Sequence, residues 1–261
     1  MRCRLAGILL ANMLGATAVG CGDPTFSTPT VPTGLLTVLS RSVDGKYVAR
    51  PEAAFVYSAD GPSGDSRSTV DTCQVGDYDP RIRTPEQLDA GDSIVFIAGT
   101  DTTILRPANR FGITVYAADP QDVDFVPGTA VSFAIPGGGG FPAAEISSLT
   151  PPVLSALTPI PGQPSLTEPL TLTWGPVGDD SSRVEVILLY AAQGSLDFDQ
   201  QVICDWRDDG SGTVRPELLG GWAVSEIRRI EVTRYRTQRH VLGDAVLYLL
   251  TTFDSVPPVA P

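Results

Sequence analysis

The 261-residue chain carries 30 acidic against 18 basic side chains, a formal net charge of −12. That excess argues against nucleic acid as a partner and against lying flat on an anionic membrane, since both need a basic surface. Hydrophobic residues make up 42% of the chain, enough for packed cores, which excludes wholesale disorder, and the length points to two domains.

Residues 1–20 read MRCRLAGILLANMLGATAVG. Arg2 and Arg4 form a positive start, and the apolar stretch that follows, interrupted by Asn12, is too short to span a bilayer comfortably. It ends in Ala18-Val19-Gly20, small residues running directly into Cys21. The segment resembles the lipobox-type signal of bacterial lipoproteins. That resemblance implies cleavage before Cys21, diacylation of its sulfur and attachment to the cell envelope. Gly22 rather than Asp after the cysteine implies, by the same family's sorting pattern, the outer membrane. Ala18 stands where the family prefers Leu, so an ordinary cleaved secretory signal is the alternative. Acyl chains on Cys21 would hold the protein at a membrane without a spanning helix. The remainder of 21–34 is rich in Pro, Thr and Ser, and is expected to be a flexible tether.

Residues 35–145 are expected to form a first β-sandwich-like domain. Alternating or apolar runs at 35–41, 53–57, 93–98, 112–117 and 129–135 are separated by turn residues such as Asp44-Gly45, Ala90-Gly91-Asp92 and Val126-Pro127-Gly128. PGGGGFP at 136–142 fits no regular element, and residues 146–169 are expected to be a stiff Gly/Pro-rich connector, because proline fixes φ and removes donors. A second β-sandwich is expected over 170–256, with a tail at 257–261.

This second part opens with PLTLTWGPVGDD, in which Leu170, Leu172 and Trp174 share one parity, and continues with RVEVILLY at 183–190. These roughly 25 residues resemble the early strands of a fibronectin type III or immunoglobulin-like domain. The later tyrosine-corner pattern is not evident, which leaves strand order open. Further strands are expected at 201–205, 229–236 and 244–252, and a short helical turn at 215–222. The fold class is therefore all-β, with two β-sandwich-like domains. Both halves broadly resemble uncharacterised lipid-anchored β-proteins of Gram-negative bacteria, a resemblance that brings no activity.

Among candidate sites, Cys204-Asp205-Trp206-Arg207-Asp208-Asp209-Gly210-Ser211-Gly212 touches the calcium-loop template at Asp205, Asp209 and Gly210. Arg207 stands at a ligand position and Pro216 where the bidentate Glu belongs, so a hairpin turn is the preferred reading and no metal is expected. Cys73 and Cys204 are either a disulfide, closing a loop of about 130 residues and locking the two domains face to face, or two inert buried thiols. His240 is the single histidine and stands in no nucleophile-elbow context. Gly137 to Gly140 lack the Lys-Ser/Thr of a phosphate cradle, and no cofactor is expected. Arg228, Arg229, Arg234, Arg236 and Arg239 form a candidate anion patch, weighed against a solvent face that pairs with the protein's own carboxylates. Trp206 and Trp222 offer sugar-stacking faces, weighed against core positions. The sequence points to a non-catalytic envelope module that presents loops to a protein or glycan partner. The alternative is an envelope glycan hydrolase with paired carboxylates.

Overall fold

The computed structural model describes residues 30–58, 70–78, 86–110, 112–162, 164–178, 180–255 and 257–258. The signal, Cys21 and most of the tether lie outside the described residues. No helix among the described residues is long and apolar enough to cross a membrane.

The fold is all-β. β1 (Val31–Val43) and β2 (Lys46–Ser58) make a hairpin around Asp44, φ 50°, and Gly45, φ 77°. Two left-handed residues are what a tight two-residue hairpin requires. β6 (Ile113–Ala117) and β7 (Val123–Asp124) pair with the far side of β2. A second layer is built from β4 (Ile94–Ala98), β8 (Ala130–Ile135) and β9 (Ala144–Leu149). β5 (Asp101–Arg110) belongs to both layers: residues 101–105 pair with β4 and residues 106–110 with β6. This strand turns the corner of the sandwich. Alternation then places Leu36, Val38, Ala53 and Phe55 of one layer against Phe96, Phe133 and Ile146 of the other.

The remaining elements are β3 (Thr72–Asp77), β10 (Leu170–Thr173), β11 (Arg183–Tyr190), β12 (Gln200–Arg207), β13 (Ser211–Val214), α1 (Pro216–Val224), β14 (Arg228–Leu242) and β15 (Ala245–Ser255). The large sheet runs β3-β12-β11-β14-β15-β1-β2-β6-β5-β4-β8-β9, while β10 and β13 form a small sheet of their own. β15 and β1 pair in parallel, from Thr33↔Val246 to Ser40↔Phe253, and carry one sheet across both halves of the chain.

Both hydrophobic cores lie on the same face of that sheet. Leu247 and Leu249 of β15 belong to the first core and Phe253 to the second. Over the second core, the covering layer is the β10–β13 sheet, α1 and the connector residues Leu154 and Ile160. The connector begins later than the composition suggests, because Ile146 and Ser148 are buried within β9. The expected helical turn at 215–222 is a nine-residue helix, started by Pro216, where a missing N–H costs nothing.

Cys73 and Cys204 form a disulfide, with an S–S distance of 2.04 Å. The two residues are register partners in the antiparallel pair β3–β12. The bridge therefore acts in the plane of the sheet, not between two opposed faces, and the face-to-face arrangement is corrected: β3 leaves the first half of the chain and joins the second half's sheet as its edge strand. With a sequence separation of 131 between the cysteines, the chain-entropy model assigns the bond ~4–5 kcal/mol as an upper figure. Cys73→Ser is expected to lower stability in urea by about 2–4 kcal/mol and to speed amide exchange in β3 before the other strands. Unchanged β3 protection would contradict this.

Candidate functional site

The corner at residues 208–210 organises the second half of the molecule. Its hairpin reading is corrected: β12 pairs with β11 and β3, whereas β13 pairs with β10. The corner carries the chain out of the large sheet and onto the layer that covers it. Gly210 has φ 104°, a backbone conformation that favours glycine. Gly212 lies under Trp206, where an added Cβ would stand 2.1 Å from the indole. Trp206 in turn stacks on Trp174, with centroids 6.0 Å apart and planes 16° from parallel.

Inside this corner is a buried ion pair. Arg234 Nε lies 2.8 Å from Asp208 Oδ2, with side-chain exposures of 1% and 0%. Arg234 Nη2 donates to Asp208 Oδ1 at 3.0 Å and to the Gly175 carbonyl. The Trp174 indole N–H donates to the same Oδ1 at 2.8 Å. Arg234 Nη1 donates to the carbonyls of Val153 at 2.8 Å and Pro152 at 3.5 Å. Asp208 is thus neither a metal ligand nor a free carboxylate. It is the counter-ion that holds β14, the end of β10, the connector and the corner together.

The candidate anion patch does not form one surface. Arg234 and Arg236 are buried on the core face of β14, opposite Phe253 and Thr251 of β15. Arg236 donates to Ser182 Oγ at 2.9 Å and to the Leu149 carbonyl at 3.4 Å. Arg228 Nη1 donates to the Ala223 and Ser225 carbonyls, both at 3.0 Å, while its Nη2 donates to the Gly162 carbonyl at 2.9 Å. It thereby caps the end of α1 and lies over Trp222. Arg229 pairs with Glu231 and covers Phe198, and Arg239 donates to the Tyr248 hydroxyl at 3.4 Å. Parity alone placed Arg234 and Arg236 beside Ile230 and Val232; their carbonyl partners lie too far away in sequence to be read from it.

The other candidates are equally engaged. Asp205 is buried and accepts from the Tyr235 hydroxyl at 2.8 Å, and Asp209 Oδ1 accepts from the Ser211 N–H at 3.4 Å within the turn. No group of three or more metal-ligating side chains gathers among the described residues. Trp174, Trp206 and Trp222 are all buried, which removes the sugar-stacking faces. His240 is exposed on β14.

An open groove of about 720 Å³ lies above the corner. Its rim combines Asp180, Ser182, Arg183, Arg207 and Asp209, with Pro176 and the buried Asp208 beneath. A larger groove of about 900 Å³ follows the connector past Trp222, but there Arg228 gives its hydrogen bonds to the backbone carbonyls of Ala223, Ser225 and Gly162. The groove over the corner carries the better-placed charged groups.

Burial, followed by the neighbouring Asp205 carboxylate and then Glu185, raises the Tyr235 phenol above its ordinary value of 10.0, while Arg183 opposes the shift. Burial raises Tyr116 and Tyr190 in the same direction. A phenol raised in the fold holds its proton more tightly there than in the unfolded chain. Its stabilisation is complete below pH 10.0 and is lost as pH rises through the folded value. Urea denaturation between about pH 8 and 11 should show stability falling at the alkaline end, with a shallower fall in Tyr235→Phe. Separately, Asp208→Asn and Arg234→Met should each cost about 3–5 kcal/mol, and the double variant should lose clearly less than the sum. Additive losses would show that the two charges are not coupled.

No family model matches the chain, and no curated protein matches it. Among solved structures, the chain matches the crystal structure of chicken CNTN1 FN1–FN3 domains at 10% identity and a TM-score of 0.19. The match covers 87% of this chain and 66% of that one, so the chain spans just under two thirds of the matched length. At that score the likeness carries no argument about fold or function.

Proposed function

We propose that this chain is an exported, non-catalytic module of the bacterial cell envelope, held there by lipid on Cys21, that presents the loops around the Asp208 corner to a protein or glycan partner. The observation that carries the binding half of this reading is the contrast at the corner. The groups beneath the groove are committed to one another, as Asp208, Arg234 and Trp174 are, while Asp180, Arg207 and Asp209 on the rim stand open to solvent above them. A rigid base with an accessible polar rim suits recognition, because little order has to be imposed on binding. The export half is supported by the Cys73–Cys204 disulfide, a bond that persists in oxidising compartments, and by the leader-like residues 1–20.

Intact-mass analysis of protein taken from the membranes of its native host tests the reading. The expected species begins at Cys21, carries acyl chains, and gains hydrogen on reduction of its single bridge. A soluble species that retains residues 1–20 without fatty acid would contradict the anchor. Turnover of a glycan or peptide substrate, abolished by one Asp or Glu substitution, would contradict the non-catalytic reading.

A further inference from the structure

β1 begins at Val31 and runs parallel to β15, with Thr33 opposite Val246. The turn that joins β14 to β15, Leu242-Gly243-Asp244-Ala245, therefore stands beside the point where the N-terminal segment enters the sheet, roughly 5 Å away across one strand spacing. β14 pairs with β11 only as far as Tyr235. Beyond that point, residues 236–242 have β15 as their one strand partner among the described residues, so the hairpin ends as a two-stranded ribbon. Arg239, His240 and Val241 are exposed on it, Val241 at 60%. Val246, the register partner of Val241, is half-buried on the same face, away from the cores. Residues 232–243 contain no carboxylate, in a chain with 30 acidic and 18 basic side chains. Asp244 is the single acidic group of the turn.

We propose that the tip of the β14–β15 hairpin rests on the lipid surface to which Cys21 is anchored, with Val241 set among the headgroups and Arg239 against lipid phosphates. The inference rests on the lipid-anchor reading above and adds an orientation to it. Reach selects the occupant. The stretch from Cys21 to Val31 spans at most about 36 Å fully extended, and it enters the sheet beside this tip, so acyl chains on Cys21 keep lipid close to the hairpin. The side chains agree with that partner. An exposed aliphatic group two residues from an exposed arginine can bury itself at the headgroup boundary and leave the cation at the phosphates. One valine and one arginine bind lipid weakly by themselves. A short tether raises the effective concentration to the order of millimolar, which populates a weak contact. The contact is end-on and holds the acidic remainder of the chain away from the lipid.

The test is fluorescence quenching of the acylated mature protein in vesicles of phosphatidylethanolamine with a minor share of phosphatidylglycerol, their acyl chains brominated. Trp174, Trp206 and Trp222 are buried and set a constant background. Leu196, 86% exposed, lies between β11 and β12, beside the start of β14 and so at the end opposite the tip. The indole introduced by Val241→Trp should be quenched, and that introduced by Leu196→Trp should not. Adding Arg239→Gln to Val241→Trp should lower the ratio of docked to free protein about fivefold without moving the thermal midpoint. Equal quenching at the two positions, or quenching unchanged by Arg239→Gln, would overturn the assignment. Intact mass reports acylation independently. An acylated protein whose indole at position 241 is unquenched overturns this inference and leaves the anchor standing, whereas a protein without fatty acid overturns both.

Discussion

The structure depends on one ion pair that water does not reach. Removing an arginine and an aspartate from solvent is expensive, and their mutual attraction offsets that cost only if the remaining donors and acceptors also find partners. At the seam between the two cores they do. Asp208 takes the Arg234 guanidinium and the Trp174 indole N–H, and Arg234 gives its other donors to carbonyls of residues 152, 153 and 175. The Pro152 and Val153 carbonyls belong to the connector where it crosses the face of the sheet, and the Gly175 carbonyl to the segment that follows β10. An apolar residue at position 234 would leave them unbonded in a dry seam. The pair therefore decides where the connector lies, how the corner turns, and which rim the groove presents.

The remainder of the architecture follows from placing two cores on one face of a continuous sheet. The parallel β15–β1 pair brings the end of the chain beside the start of the described part, and β15 contributes to both cores. Arg236 repeats the work of Arg234 on the first-core side of the seam, bonding Ser182 and the Leu149 carbonyl. At the far edge the disulfide fastens β3, a strand with little apolar surface of its own. Without that bond, six mostly exposed residues would be held by ladder hydrogen bonds and by polar side-chain bonds such as those from Gln200 and Gln201 to Asp77.

Much of this was legible before any coordinates. The strands with clean alternation, around Leu36, Phe96, Phe133, Val186 and Leu247, fall where their periodicity puts them, and Asp44-Gly45 marks its hairpin. What escaped has specific causes. β3 is an exposed edge and shows no period; β5 contains Pro107 and divides its two ends between layers; β13 hides in a run of turn residues. The arginines of β14 had visible parity with Ile230 and Val232, but their cationic character argued for solvent. The partners that reverse that argument lie 26 to 87 residues away, a distance over which local pattern says nothing.

Hydrogen exchange at the Trp174 indole N–H tests the central claim most directly, since that proton is donated to Asp208 and lies in no backbone ladder. If the Asp208–Arg234 pair anchors the seam, the proton should exchange only through global unfolding, with the same free energy and the same denaturant dependence as the slowest amides of β11 and β14. Exchange by a low-energy local opening, insensitive to denaturant while those strands stay protected, would show that the seam opens by itself and that the fold does not depend on the pair.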